Sequence, residues 1–185
     1  VYSQALTIGL DGSLYISGSI TGDLDGQSNS GISWEADAFL VKYSGDGSKQ
    51  WTKLIGSTGL DYAYGLATGA DGSIYVTGHS TGDLDGQPNS GLQDAFLTKY
   101  SVEGSKQWTK LFGSTSNDAA AALATGADGS IYVTGVTYGD LDGHTNSGSS
   151  DAFLVKFQEG ASAPTYSLSA GSSEVNEGSS ATFTL

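Results

Sequence analysis

A chain of 185 residues fits one domain, or one domain with a piece of another. It holds 28 Gly, 2 Pro and 10% aromatic residues with no Cys and no Met. That mix suits many short strands joined by tight turns, and it excludes a disulfide scaffold or a zinc–thiolate site. Net charge is −13, with seven Lys and no Arg, so the surface is poor for nucleic acid and for anionic lipid, and suits a secreted or cell-surface protein or one that holds cations.

No stretch approaches the roughly 18 continuous apolar residues of a spanning helix, so no membrane insertion is expected. The chain starts at Val1 with no basic-then-apolar leader, which reads as a processed or truncated start. No Asn-x-Ser/Thr acceptor occurs, because Gly follows each Asn-Ser pair.

Three phrases return in order along the chain. DGSLY at Asp11 returns as DGSIY at Asp71 and Asp128, at spacings of 60 and 57. GDLDGQSNSG at Gly22–Gly31 returns as GDLDGQPNSG at Gly82–Gly91 and GDLDGHTNSG at Gly139–Gly148. DAFLVKY at Asp37 returns as DAFLTKY at Asp94 and DAFLVKF at Asp151, both at 57. The three extra residues of the first interval lie between Gly31 and Asp37, where ISWEA replaces LQ or SS. A surface loop tolerates such an insertion.

Each repeat contains four short segments of strand character, which in the second are Ala63–Thr68, Ser73–Thr77, Ala95–Tyr100 and Gln107–Phe112. The first is rich in small residues, most of all at Ala119–Ala122 of the third repeat. Ala70-Asp71-Gly72 follows it, an Asp-Gly turn that favours a hairpin, and Gly104 separates the last two segments in the same way. The third segment is apolar on both faces and wants cover on both sides. The fourth alternates, with Trp108, Lys110 and Phe112 on one side.

The predicted fold is therefore all-β. Three repeats of about 57 residues form β-propeller blades of four short antiparallel strands each. The small-residue strand is expected innermost and the Trp strand outermost. A β-solenoid is the alternative, although its rungs are usually shorter.

The ordered pattern DAFLxKY, GSKQWTKLxGS, (D)xAxxLATGADGSIYVTG resembles the bacterial SBBP-type β-propeller repeat over roughly Val1 to Phe157. The resemblance implies secreted or surface-exposed bacterial proteins, often large and multidomain, and no single activity. The third repeat ends at Phe157 with no GSKQWTKL segment after it, so its blade is expected to be unfinished. Closed propellers need at least about four blades, which implies a larger or oligomer-completed propeller.

The expected domains are a repeat segment at 1–158 with junctions near 60 and 117, a linker at 159–164, and a hairpin-like tail at 165–185. The tail, with Glu174-Val175-Asn176-Glu177-Gly178 in a turn, is similar to the start of a Calx-β domain. It is too short to build its own core. It is expected to pack on the blades, add to a neighbour's sheet edge, or stay incompletely ordered.

The acidic loop invites two readings. Calcium wants roughly six to eight oxygens from carboxylates, amides, carbonyls and water. Asp23, Asp25 and Asn29 could supply several from one turn, with Asp37 closing the shell. The equivalent sets are Asp83, Asp85, Asn89 and Asp94, then Asp140, Asp142, Asn146 and Asp151. The other reading is turn chemistry, in which Asp and Asn cap backbone N–H groups and Leu24, Leu84 and Leu141 plug the blade. Asp11, Asp71 and Asp128 read as hairpin residues only.

An enzyme is not expected. Neither His79 nor His144 recurs, both read as solvated surface residues, and the aspartates return in every repeat as scaffold residues do. Trp51 and Trp108 recur and read as packing residues. Trp34 and Glu35 lie in the ISWEA insertion, where an exposed Trp could stack on a sugar or anchor a partner. The expected function is a structural or adhesive segment of a bacterial surface or matrix protein, with calcium as a stabiliser. A carbohydrate-binding module is the alternative. Expected partners are further copies of the chain or the missing blades, with glycans or other surface proteins as further partners.

Overall fold

The computed structural model describes residues 1–32, 34–158 and the backbone of 165–171. The described residues form three antiparallel sheets of four strands each, joined in chain order within each sheet. The first holds β1 (Tyr2–Ile8), β2 (Leu14–Thr21), β3 (Ala36–Tyr43) and β4 (Lys49–Ile55). The second holds β5 (Asp61–Thr68), β6 (Ile74–Ser80), β7 (Asp94–Tyr100) and β8 (Lys106–Phe112). The third holds β9 (Asp118–Thr125), β10 (Ile131–Thr137), β11 (Asp151–Gln158) and β12 (Thr165–Gly171).

These are propeller blades, as the repeat predicts. The first strands β1, β5 and β9 lie against one another, so the small-residue strands converge on one side of the stack. Hydrogen bonds tie them together: Thr68 Oγ1 donates to the Ile8 carbonyl at 3.2 Å, and Thr125 Oγ1 to the Thr68 carbonyl at 2.9 Å.

One expectation is corrected. The third blade is not unfinished: β12 pairs antiparallel with β11 from Ala152↔Gly171 to Gln158↔Thr165 and supplies its fourth strand. The sequence hid this because 165–171, TYSLSAG, does not repeat the phrase GSKQWTKL. Ladder pairing needs only extended backbone, and β11 had an edge to cover. The linker expected at 159–164 and the rest of the tail at 172–185 lie outside the described residues.

Burial shows how the blades stack. In the middle blade, β6 and β7 are buried at every position. This is why AFL is apolar on both faces: each face meets a neighbouring blade. In the third blade β11 alternates between buried and more open positions, since among the described residues no further blade packs on one of its faces. Two cores result. One joins Tyr15, Ala38, Leu40 and Ile55 of the first blade to Ile74, Val76, Leu84 and Phe96 of the second. The other joins Ala95 and Leu97 to Ile131, Val133, Leu141 and Phe153.

The hairpin aspartates brace the turns between the first and second strands. Asp11 Oδ1 accepts the Ser13 N–H at 3.0 Å, and Lys42 reaches Asp11 at 3.1 Å across the ring of Tyr15. Lys99 with Asp71 over Tyr75, and Lys156 with Asp128 over Tyr132, repeat the arrangement. These bonds hold the Asp11 carboxyl down at about 2, the Ser13 N–H being the largest cause and Lys42 the next.

Candidate functional site: acidic loops and blade junctions

The acidic loop is a miniature hairpin. Leu24 and Gln27 exchange two backbone hydrogen bonds of 3.0 Å around Asp25-Gly26. Both central residues have positive φ, 51° at Asp25 and 79° at Gly26. Two left-handed residues in a two-residue loop make the mirror-image turn that Asp-Gly favours. Asp85-Gly86 and Asp142-Gly143 repeat it, with φ of 52° and 77°, then 49° and 81°.

Protein donors surround the loop's oxygens. Asp23 Oδ1 accepts the Asn29 N–H at 3.1 Å, while Asn29 Nδ2 donates to the Ile20 carbonyl at 3.2 Å and Asn29 Oδ1 accepts the Gly31 N–H at 2.9 Å. Asp83 with Asn89, and Asp140 with Asn146, make the same bonds at 2.9 and 2.8 Å. Asp25 does not face Asp23's partners. It turns to β4, taking Lys49 Nζ and Thr52 Oγ1 at 2.5 Å each, and Lys49 first and Thr52 second pull its carboxyl below the usual range. Asp85 binds Lys106 and Thr109 of β8 likewise. Asp142 keeps the same turn in the third blade. Among the described residues, no group of three or more Asp, Glu, His or Cys side chains is gathered to hold a metal.

The loop has two further tasks. Its Leu enters the junction with the preceding blade: Leu84 is fully buried in the first core, and Leu141 is 3% exposed in the second. Leu24 packs only within its own blade, against Ile20, Phe39 and Val41. The loop's Gln covers an outer strand. Gln27 Nε2 donates to the Thr52 carbonyl and Gln27 Oε1 accepts the Leu54 N–H at 3.1 Å; Gln87 does the same with Thr109 and Leu111. A side-chain amide thus stands in for a strand on the β4 and β8 edges, which would otherwise offer free ladder groups. His144 holds this position in the third repeat.

The remaining set, Asp37, Asp94 and Asp151, lies at the start of each third strand. Asp37 Oδ2 accepts the Ser30 N–H at 2.9 Å, Asp94 Oδ2 that of Ser90 at 2.7 Å, and Asp151 Oδ2 that of Ser147 at 2.9 Å. These residues therefore touch the loop's last turn. Asp37 and Asp94 also look the other way, into the junction with the next blade.

There each lies near a carboxylate that belongs to the repeat pattern but was not read as a site residue. Asp61 opens β5 and Asp118 opens β9, and both are fully buried. Burial raises the Asp61 carboxyl to about 6, and the nearby Asp37 charge adds to the rise. Burial raises Asp37 too, and it raises Asp94, where the Asp118 charge contributes as well. A signal was present: Asp37 to Asp61 and Asp94 to Asp118 are both 24 residues, in the shared frame Gly-Ser-Thr-x-x-Asp. It carried no site reading because the position has Val1 in the first repeat and so shows only twice.

Trp34 is 65% exposed, as an insertion loop allows. Glu35 is occupied locally, its N–H donating to the Ile32 carbonyl at 2.7 Å and its Oε2 accepting the Ile32 N–H at 2.9 Å. Trp51 and Trp108 pack on Tyr15 and Tyr75, with ring centroids 5.8 and 6.1 Å apart.

His79 is not a surface residue. It is 9% exposed, between Tyr62 and Tyr64 with ring centroids at 5.2 and 5.4 Å, and burial pushes its imidazole down to about 4. The ordinary value is about 6.5, so folding opposes protonation. The stability this neutral His contributes is present above pH ~6.5 and is lost as pH falls toward 4. Asp61, raised to about 6, acts with the opposite sign between pH ~4 and 6, so absolute curves mix the two. His79→Val, which places the third repeat's residue there, isolates the term. Between pH 7 and 5 the variant should gain about 2 kcal/mol relative to the wild type, read from urea midpoints in chelator. Parallel pH curves for the two proteins would disprove it.

Comparison with known proteins agrees with the fold. Residues 50–85 match the beta-propeller repeat family SBBP. The regulatory protein FlaEY of Caulobacter vibrioides is 34% identical over 143 residues, 71% of this chain and 15% of that protein. An uncharacterized WD repeat-containing protein, L264, of Acanthamoeba polyphaga mimivirus is 25% identical over 136 residues, 64% of this chain and 10% of that one. The chain thus spans well under a fifth of the length of these curated relatives.

Proposed function

Because this chain is a β-propeller repeat protein of the SBBP type, we propose that it is a non-enzymatic scaffold. In this reading it forms part of a secreted or cell-surface bacterial protein, completed by further blades or further copies, and displays its loops for adhesion. The repeat family and the strand-only architecture fit a structural role, and the acidic surface suits an extracellular setting.

The observation that carries the reading is the pair of unfinished end faces. Thr77, Ala95 and Leu97 are fully buried in the middle blade. Their equivalents in the third blade are opened: Thr134 and Ala152 are exposed and Leu154 is half-buried. At the other end Tyr2, Leu6 and Ile8 are 72%, 63% and 63% exposed. The third blade's open face corresponds to the face by which each earlier blade meets its successor. The first blade's open face corresponds to the one that receives a predecessor. Two different, complementary faces make a head-to-tail contact, which closes a ring when the rotation allows.

Light scattering on the purified chain tests this. The expected result is a dimer or larger assembly, reduced to monomer by Leu154→Lys with the thermal midpoint nearly unchanged. A monodisperse, well-folded wild-type monomer would rule out completion by copies of this chain. Trp34 favours a second reading, carbohydrate binding, because an exposed indole on a loop is a stacking platform. Oligosaccharide-dependent quenching of Trp fluorescence that Trp34→Ala abolishes would support it.

A further inference from the structure

The two blade junctions carry the same unusual arrangement of buried charge. β3 packs on β5 and β7 on β9, which sets Asp37 of the first blade near Asp61 of the second and Asp94 of the second near Asp118 of the third; all four are 0% exposed. In each carboxylate one oxygen is bonded. Asp61 Oδ2 accepts the Ser57 N–H at 2.7 Å and Oγ at 3.0 Å, and Asp118 Oδ2 accepts the Ser114 N–H at 2.6 Å and Oγ at 2.7 Å. Asp37 Oδ2 and Asp94 Oδ2 hold the loop serines as described. The other oxygen, Oδ1, is buried without a hydrogen-bond partner in all four.

A buried, ionised oxygen without a donor is costly, and a second carboxylate nearby adds to the cost. The lysines in ion pairs near these blades serve other acids: Lys42 with Asp11, Lys49 with Asp25, Lys99 with Asp71 and Lys106 with Asp85. Backbone space is also kept beside these carboxylates. A Cβ at Gly56 would lie 2.3 Å from Asp37 Oδ1, and one at Gly113 would lie 2.3 Å from Asp94 Oδ1 and 3.0 Å from Asp118 Oδ2. The open end supplies the contrast. Among the described residues no further blade faces Asp151, and its Oδ1 takes the Ser147 hydroxyl at 3.0 Å.

We propose that each blade junction binds one divalent cation, calcium by its chemistry, between the free Oδ1 atoms of Asp37 and Asp61 and of Asp94 and Asp118. Two carboxylates neutralise one divalent ion, so the junction's charge is balanced. Hard oxygen donors from irregular chain segments suit calcium, which accepts variable geometry, better than magnesium, which demands a near-octahedral shell. The ion would link adjacent blades rather than stiffen one loop, so the sites belong to the junctions and the acidic loops keep their turn role. A proton shared by each carboxyl pair is the competing way to satisfy the same oxygens.

Calorimetric titration of the chelator-stripped chain with calcium at neutral pH and matched ionic strength, together with thermal melts, decides between them. The expected result is two ions per chain and a calcium-dependent rise in Tm. Asp61→Asn or Asp118→Asn alone should leave one site, and the double variant none. Asp25→Asn with Asp85→Asn should leave both sites intact. In chelator, Asp61→Asn should raise Tm by removing a buried like charge, whereas in calcium it should lose the wild type's increment; a merely structural Asp61 would not invert the sign. No calcium-dependent shift at about millimolar calcium would overturn the proposal in favour of the shared proton. A shift that survives in the double variant would overturn it in favour of a site elsewhere.

Discussion

Leu84→Ala is expected to cost about 3 kcal/mol, the largest effect of any substitution in the acidic loops. The side chain is fully buried although it belongs to a surface loop. It packs with Ile55, Leu40 and Tyr15 of the preceding blade and Phe96 of its own, so truncation opens a cavity at a junction. For a chain of this length that corresponds to a fall in Tm of about 6–12 °C. Leu24→Ala is the internal control. Leu24 is half-buried on the end blade, and its loss should cost about 1 kcal/mol. Equal costs at the two positions in urea unfolding would refute the view that the loop plugs the junction.

Gly78→Ala should be at least as damaging, and for a different reason. A Cβ at Gly78 would lie 1.7 Å from the Tyr62 carbonyl oxygen and 2.9 Å from Ala63 Cα. These are backbone atoms of β5, where the pairing with β6 skips a residue between Ala63 and Gly65. A Cβ at Gly18 or Gly135 would likewise lie 1.9 Å from the Tyr2 or 2.0 Å from the Ala119 carbonyl oxygen. The inner strand bulges toward the second strand in every blade, and only glycine leaves room. To accept a methyl group β5 would have to withdraw, but β1 and β9 flank it. A loss of about 3 kcal/mol or more, up to failure to fold, is expected. Gly72→Ala separates this from ordinary backbone strain. Gly72 has φ of +82° with nothing within 4 Å of its Cβ position, so only the left-handed conformation is penalised, at about 1 kcal/mol. If Gly78→Ala were no worse than Gly72→Ala, the close-approach argument would fail.

The sequence by itself determined the blade. Alternation, Asp-Gly turns and the return of three phrases are local signals, and they locate four strands in each of the first two repeats because hydrogen-bond ladders and tight turns are set by neighbouring residues. It also determined that AFL needed cover on both faces and that the GDLDG leucines had somewhere apolar to go. The tertiary structure alone shows which protein groups the acidic phrase's carboxylates reach. Asp23 and Asp25 are two residues apart, yet the left-handed turn at Asp25 sends them to different partners, one to the loop backbone and one to Lys49 and Thr52. It decided that β12 closes the third blade, because edge pairing is written in backbone and not in side chains. It decided that His79 is buried, since nothing in its own strand says that two tyrosines will flank it. And it brought Asp37 to Asp61 and Asp94 to Asp118. Those pairs are 24 residues apart in sequence and on different blades, so only the stacking of one blade on the next makes them neighbours.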